Sequence, residues 1–491
     1  MSISKAFASR ERDDFSFSIN SDFVVPSMAA AHEFIFAPDA NEAMASAAAK
    51  AKPVRVDRTP DFLEGAAAGE NPVPDYDADL DTLAAYLTDG YWEDNEEARR
   101  SFDIEAGGTI TVDIATLDKA AQVLARKAFQ AWTDATGIRF QEVRNGADID
   151  FTDNYFDTAA AFADSEVDGS QIVRSEVTVS QKWIENLGSG KYDYSMLTYI
   201  HEIGHAMGLG HAGNYNGSAT YDPNVHADND SWQASVMSYF DQNENLDVDA
   251  DKALPLTLMM SDILAIRELY GIVDIRPSDN VYSYETDFKA ASSLDGRYRG
   301  ITARTIVDTS GTDVLDFSWS KKALVIDLHE ESFSNINGVK GNLAIARGTI
   351  IEGAVGGIKG DTIIGNDYAN ALYGNSGADT LTGNGGEDFF IFDTKPSTAY
   401  ADVITDFEIG VDTIGFNNKM FKAVGRDGVL ADIAFVVNTT GDAEDRRDRV
   451  IYDSASGELF YDANGSRKGG SVLVATLEDT LALDASHLLV I

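Results

Sequence analysis

Four nine-residue units abut between residues 356 and 391: GGIKGDTII, GNDYANALY, GNSGADTLT and GNGGEDFFI. Asp361, Asn370, Asp379 and Asp388 share one phase of this repeat, and Ile363, Leu372, Leu381 and Phe390 share another. This is the nonapeptide rule of a calcium-binding parallel β-roll, in which each unit is a turn plus a short strand. The apolar residue points inward, and turn carbonyls and aspartates face calcium between coils. Glycine serves the turn, whose backbone is crowded and takes positive φ. The rule makes Gly357, Asp361, Asn370, Gly374, Ser376, Asp379, Gly383, Gly385 and Asp388 candidate calcium ligands. Lys359 and Ala369 stand where glycine is expected and Asn370 replaces an aspartate, so the last two units are the better sites. A Gly/Asn-rich loop is the alternative, and four units in register weigh against it.

The chain has 491 residues, which argues for two or three domains. Its 44% apolar content is enough for real cores. The net charge is −43, from 81 acidic against 38 basic residues. Repulsion from phosphates opposes binding to nucleic acid or to an anionic membrane surface. No apolar run approaches the roughly 18 residues of a transmembrane helix, so membrane insertion is not expected. Calcium is a natural neutraliser of such an acidic excess. A merely soluble acidic surface is the other reading of the charge. With no cysteine, disulfides, thiolate zinc ligands and a cysteine nucleophile are excluded. MSISKAFASRERDDF shows no apolar segment after its early charges, so no conventional cleavable signal peptide is expected. Export would need another address.

Residues 1–75 read as linker or leader, with a low-complexity stretch AMASAAAKAKP (43–53). Over 76–272 the pattern is α+β. GTITVDI (108–114), GIRFQEV (137–143), ADIDFTDN (147–154) and IVRSEVTVS (172–180) read as strands. KAAQVLARKAFQAW (119–132) places Val123, Leu124, Ala128, Phe129 and Trp132 along one helical stripe. SMLTYIHEIGHAMGLG (195–210) and PLTLMMSDILAIRELYG (255–271) read as helices stopped by glycine. After 272 short β-type runs alternate with Gly, Asp, Asn and Ser, as an all-β unit over 273–491 requires.

HEIGHAMGLGH (201–211) is the sharpest chemical signal. His201 and His205 leave one face of a helix, and a zinc ion can bridge them. A left-handed residue at Gly208 would end the helix and return His211 to the same metal. Three neutral protein ligands leave a position for water, the catalytic rather than structural arrangement. Glu202 can take a proton from that water and pass it to a leaving amine. H-E-x-x-H alone arises in about one of 200 chains of this composition, and the longer motif in on the order of one in 10⁵. Structural zinc is the main alternative. Downstream, SVMSYF (235–240) offers Met237 as an apolar floor in a tight turn, and Tyr239 to reach the zinc or a developing oxyanion. That order defines a metzincin.

At HEIGHAMGLGHAGNYN (201–216), SVMSYF (235–240), DILAIRELYG (262–271) and the nonapeptides, the sequence resembles the serralysin family of secreted bacterial metalloproteases. The resemblance implies a metzincin domain followed by a calcium-filled β-roll. It makes His201, His205 and His211 zinc ligands, Glu202 the base, and Tyr239 a ligand that swings away to stabilise the tetrahedral intermediate. It implies further calcium sites through Arg276, Ser278 and Asn280, through Asp308, Ser310, Gly311 and Asp313, and at Glu352 and Asp402. Ser278 and Ser310 replace glycines, Asn280 replaces a threonine, and Pro396 falls where an acidic ligand is usual, which leaves the calcium count open. The resemblance also implies a zymogen whose leader is residues 1–75. It implies export by a type I exporter reading the C-terminal tail LALDASHLLVI (481–491).

TAAAFA (158–163) falls where the family has the edge strand that pairs with substrate backbone, a β-augmentation mode. His32, His226, His329 and His487 read as ordinary polar residues. The leading expectation is a secreted, monomeric zinc endopeptidase acting on extended polypeptides. A calcium-dependent binding or adhesive protein with an inactive zinc domain is the alternative from another class. A zinc hydrolase for a different acyl substrate is a third.

Overall fold

The computed structural model describes residues 54–55, 79–154, 159–190, 193–283, 301–478 and 480–491. Most of the expected leader, His32 and Thr158 lie outside the described residues.

The N-terminal part is built on one mixed sheet of six strands: β1 (Val54–Arg55), β2 (Thr109–Asp113), β3 (Arg139–Glu142), β4 (Ile149–Thr152), β5 (Ala161–Asp168) and β6 (Gln171–Val179). The strand order is β1-β5-β6-β4-β2-β3. β5 runs antiparallel to β6, whereas β6, β4, β2 and β3 are mutually parallel. The two residues of β1 lie antiparallel on the outer edge of β5, Val54 opposite Val167 and Arg55 opposite Glu166. The stretch expected as an edge strand, 158–163, enters β5 only from Ala161, and β1 covers the outer edge of β5 at Glu166 and Val167.

The helices are α1 (Leu80–Ala85), α2 (Tyr91–Asp94), α3 (Lys119–Thr136), α4 (Gln181–Leu187), α5 (Tyr194–Ala206) and α6 (Met260–Tyr270). A π-helical turn, Tyr86–Gly90, joins α1 to α2. α3 starts where Asp118 accepts the Ala121 N–H and ends at Gly137 with φ +70. Leu124, Ala128, Phe129 and Trp132 are buried as the stripe requires, but Val123 is 50% exposed. It sits one residue off the stripe and faces solvent. α5 is central: Ser195 to Ala206 are all buried. Its apolar residues face the core on several sides, and its buried polar residues include His201, Glu202 and His205. α6 begins later than its pattern suggests, because Leu254–Pro255 pair as a short strand with Thr302 and Ala303.

The C-terminal part is a roll. Strands Gly353–Val355, Ala371–Tyr373 and Phe389–Phe392 are parallel neighbours in one sheet. Thr362–Ile364, Thr380–Thr382 and Asp402–Ile404 are parallel neighbours in another. Successive nine-residue units thus alternate between two sheets. Ile363, Leu372, Leu381 and Phe390 are buried between them, in a core that also holds Phe416 and Leu488. The last strand, Leu488–Val490, lies between Thr413–Phe416 and Gly428–Val429. No helix among the described residues is long and apolar enough to cross a membrane.

Candidate active site

α5 carries His201, Glu202 and His205. The helix ends at Ala206, earlier than the sequence pattern suggests, and Gly208 follows with φ +106. A Cβ there would lie 2.1 Å from the Arg100 carbonyl oxygen. Only glycine fits a backbone so twisted and so closely approached. The turn is held from outside: Trp92 Nε1–H donates to Gly208 O at 2.9 Å, and Gly210 N–H to Leu87 O at 2.7 Å. Tyr91 meets His211 edge-on with ring centroids 5.1 Å apart.

The three imidazoles converge. His205 Nε2 lies 3.0 Å from His201 Nε2 and 3.0 Å from His211 Nε2. All three rings are buried. His201 Nδ1 faces Val236 O at 2.8 Å, and His205 Nδ1 faces Leu209 O at 2.8 Å. A carbonyl only accepts, so both rings carry their proton on Nδ1 and present Nε2 as a lone pair. Burial pushes His201 and His211 well below the ordinary histidine range, with the neighbouring imidazoles adding to it. Neutral lone pairs aimed at one another in a dry site suit a shared cation, and the donor set is that of zinc. Each of these three histidines offers a ring nitrogen within 4.8 Å of the others, close enough to share one ion.

Met237 is fully buried under α5; a Cβ on Gly204 would meet its sulfur at 2.5 Å. Tyr239 is half-buried, its ring centroid 4.6 Å from that of His211 and 6.1 Å from that of His201. Its hydroxyl accepts the Gly217 N–H at 3.3 Å. Glu202 is fully buried beside the first histidine. The structure thus places Met237 beneath α5 and the Tyr239 ring against two of the histidines, with Glu202 next to His201 in the chain. His226 is half-buried among aromatic rings, 4.8 Å from Phe240 and 5.7 Å from Tyr215.

Asp262 has no local signature in the sequence, yet it organises this floor. Its carboxylate accepts Ser235 Oγ–H at 2.6 Å and the Val236 and Met259 N–H groups at 2.8 Å each. Val236 is the residue whose carbonyl orients His201.

Comparison with known proteins bears on this arrangement. A family model described as Peptidase M10 serralysin C terminal matches residues 272–482. The metallopeptidase AprA of Pseudomonas marginalis is 35% identical over 374 residues, covering 70% of this chain and 74% of that protein. The chain belongs to the serralysin family. The serralysin of Photorhabdus laumondii is 32% identical over 271 residues, 52% of this chain and 55% of that protein. Serralysin C of Dickeya chrysanthemi is 36% identical over 257 residues, 49% of this chain and 52% of that protein. In these last two comparisons the chain spans about half the length of its relative.

Across the serralysin-type roll, the repeat phase forms a ladder. Asp361 N–H donates to Asp379 Oδ1 at 2.8 Å, and Asp379 N–H to Asp402 Oδ1 at 2.9 Å. On the other side Asn370 N–H donates to Asp388 Oδ1 at 2.8 Å, and Asp388 N–H to Asp412 Oδ1 at 3.0 Å. Asp412 continues the series but escapes the nine-residue rule, because the chain inserts extra residues after 392. Burial pushes Asp379 and Asp388 up to about 7 and Asp402 to about 8, with nearby carboxylates adding to it. Gly357 N–H donates to Asp361 Oδ2 at 2.5 Å, and Ser376 N–H to Gly357 O at 3.3 Å. Gly374 and Gly383 back directly onto the Asp379 and Asp388 carboxylates, leaving no room for a Cβ, and Gly385 passes the backbone of Asp367.

The segments before and inside the roll also meet. Asn280 N–H donates to Asp313 Oδ1 at 2.7 Å, and Asp313 N–H to Glu352 Oε2 at 2.6 Å. Gly311, at φ +132, packs against the Ser278 carbonyl, and Ser310 N–H donates to Asp308 Oδ1 at 3.3 Å. Arg276 has φ +53 and spends its guanidinium on Val307 O, leaving its carbonyl as the group turned to Asn280. Burial and neighbouring carboxylates raise Asp313 to about 8, and burial raises Glu352 to about 7. Crowded buried carboxylates of this kind fit a calcium ion.

Proposed function

We propose that this chain is a secreted, calcium-stabilised zinc endopeptidase that cuts extended polypeptides. The convergence of the three Nε2 atoms of His201, His205 and His211, next to Tyr239, carries the reading. His201, His205 and His211 hold zinc, which when bound polarises the scissile carbonyl and acidifies the attacking water. Glu202 removes a proton from that water and returns it to the leaving amine. Tyr239 would complete the ligand set of the resting zinc and would offer its hydroxyl to the developing oxyanion. Gly208 and Met237 keep the histidines in place. An extended substrate adds its backbone along the outer edge of β5, which β1 of the leader covers at Glu166 and Val167.

The same reading divides the chain into a leader (1–75), a metzincin domain (76–272) and a calcium-binding roll (273–491) bearing the C-terminal export signal for a type I exporter. The crowded carboxylates around Asp313, Asp379 and Asp388 support calcium as the roll's filling. The enzyme acts as a monomer.

The test is cleavage of a denatured protein by wild type and Glu202→Ala, with zinc and calcium supplied. Wild type cuts and the variant loses at least about 10³-fold, in line with loss of general acid–base catalysis and of water positioning. If neither cuts while zinc is bound, the proteolytic reading fails and a calcium-dependent binding protein becomes the better account.

A further inference from the structure

Two stretches of chain separate the third histidine from Met237, and one tyrosine ties them together. Tyr215 is 3% exposed. Its ring lies against that of His211, with centroids 5.5 Å apart, and against that of Tyr239, at 4.7 Å. Its hydroxyl donates to Asp230 Oδ1 at 2.9 Å and accepts the backbone N–H of Tyr239 at 3.3 Å. Two residues further on, Gly217 donates its N–H to the Tyr239 hydroxyl, also at 3.3 Å. A single short loop therefore grips Tyr239 at both ends, backbone and phenol.

Packing alone does not account for this. Phenylalanine would fill the same space between His211 and Tyr239. The hydroxyl brings with it a fully buried carboxylate, Asp230, whose desolvation is costly. What the pair supplies in return is a fixed acceptor for the N–H of Tyr239, next to the Ser238 side chain that bonds to both members of the pair. Asp230 is itself anchored from behind, since the Asn245 side chain donates to its backbone carbonyl at 2.9 Å.

We propose that Tyr215, braced by Asp230, is a positioning residue that sets the backbone from which Tyr239 reaches the reacting carbonyl. The inference rests on the proteolytic reading of the site. It touches neither substrate nor metal directly and acts through Tyr239. A misplacement of about 1 Å can cost on the order of 10²-fold in rate, so a loosened Tyr239 lowers turnover while substrate binding and zinc binding persist.

The experiment compares full-length, zinc- and calcium-loaded wild type, Tyr215→Phe and Asp230→Asn. Tyr215→Phe keeps the ring and loses the hydroxyl. Its kcat falls at least about 10-fold with KM and zinc content within about twofold of wild type, in keeping with loss of an interaction made only in the transition state. Asp230→Asn keeps an oxygen to accept from Tyr215 and retains most of the wild-type kcat. Backbone hydrogen exchange is read in parallel by mass spectrometry. In Tyr215→Phe the peptide containing Tyr239 exchanges faster, while peptides from α5 exchange as in wild type.

Wild-type kcat in Tyr215→Phe overturns the proposal. So does a kcat loss matched by zinc loss or by faster exchange throughout α5, which would mark a general structural role. If wild type cuts no protein at all, the proteolytic reading has failed separately. Exchange at Tyr239 then decides the placement alone, and unchanged exchange in Tyr215→Phe overturns it.

Discussion

Replacing Gly208 by alanine tests whether the turn after α5 is what completes the metal centre. The new methyl meets two obstacles. A residue with a Cβ at positive φ costs about 1–2 kcal/mol. The Cβ also falls 2.1 Å from Arg100 O, against an ordinary contact of 3.4 Å or more. That oxygen is backbone and cannot rotate away. Its own residue is pinned, with the Arg100 guanidinium 3.8 Å over the Trp92 ring and Trp92 bonded back to Gly208 O. Overpacking of this kind adds about 1–3 kcal/mol. The sum is about 2–5 kcal/mol. Gly146→Ala isolates the first part, since Gly146 has φ +72 and a methyl there would meet nothing within 4 Å. Urea unfolding with zinc in excess should therefore show about 1–2 kcal/mol lost in Gly146→Ala and clearly more in Gly208→Ala. Competition with a chromogenic chelator should show zinc held at least about 10-fold more weakly by Gly208→Ala alone, the scale for disturbed ligand support. If the two variants unfold alike and bind zinc as wild type does, the turn is not what returns His211 to the site.

Two further outcomes concern the roll. Phe390→Ala empties a fully buried position between the sheets and should cost about 3–5 kcal/mol in calcium-loaded protein; a loss below about 1 kcal/mol would show that the roll is not packed as described. Chelating calcium should leave a roll whose stability falls as pH rises. The folded pKa values of Asp379 and Asp402, about 7 and about 8, exceed the unfolded value near 3.9, so their stabilisation is complete below about pH 4 and disappears as pH climbs through 7–8. Calorimetry of chelator-treated protein at about pH 5.5 and about pH 8.5 reads this directly, and an equal melting temperature at both would refute it.

What the sequence made legible was whatever depends on local spacing. The histidines at i and i+4, the glycine that turns the chain, the stripe of α3 and the nine-residue register all follow from short-range geometry, and the structure brings those residues together. Boundaries were less legible. Leu254–Pro255 carry apolar residues suited to a helix but pair with a strand near residue 302, a partner the local pattern does not reveal. Val123 is apolar and exposed because a stripe about 100° wide tolerates a residue at its margin. The supporting groups left no local trace. Asp262 reaches Ser235 across 27 residues and Tyr215 reaches Asp230 across 15, so each looks like an ordinary polar residue until the chain is folded. Asp412 is hidden for a different reason, since an insertion takes it out of phase with the ladder it completes.

That ladder has a direction. In every rung the donor lies earlier in the chain and the acceptor later, from Asp361 to Asp379 to Asp402 and from Asn370 to Asp388 to Asp412. The two ends of the roll are therefore not equivalent. On the aspartate rungs, trimming coils from the front strips away N–H groups and leaves carboxylates, which water or a cation can satisfy, although the backbone bonds from Thr380, Phe389, Val403 and Thr413 to earlier carbonyls are lost with them. Trimming from the back leaves buried N–H groups with nothing to accept them, at about 1–3 kcal/mol each. On these aspartate rungs each coil is completed by a carboxylate that lies later in the chain, so the last coils supply side-chain acceptors on which the earlier ones depend.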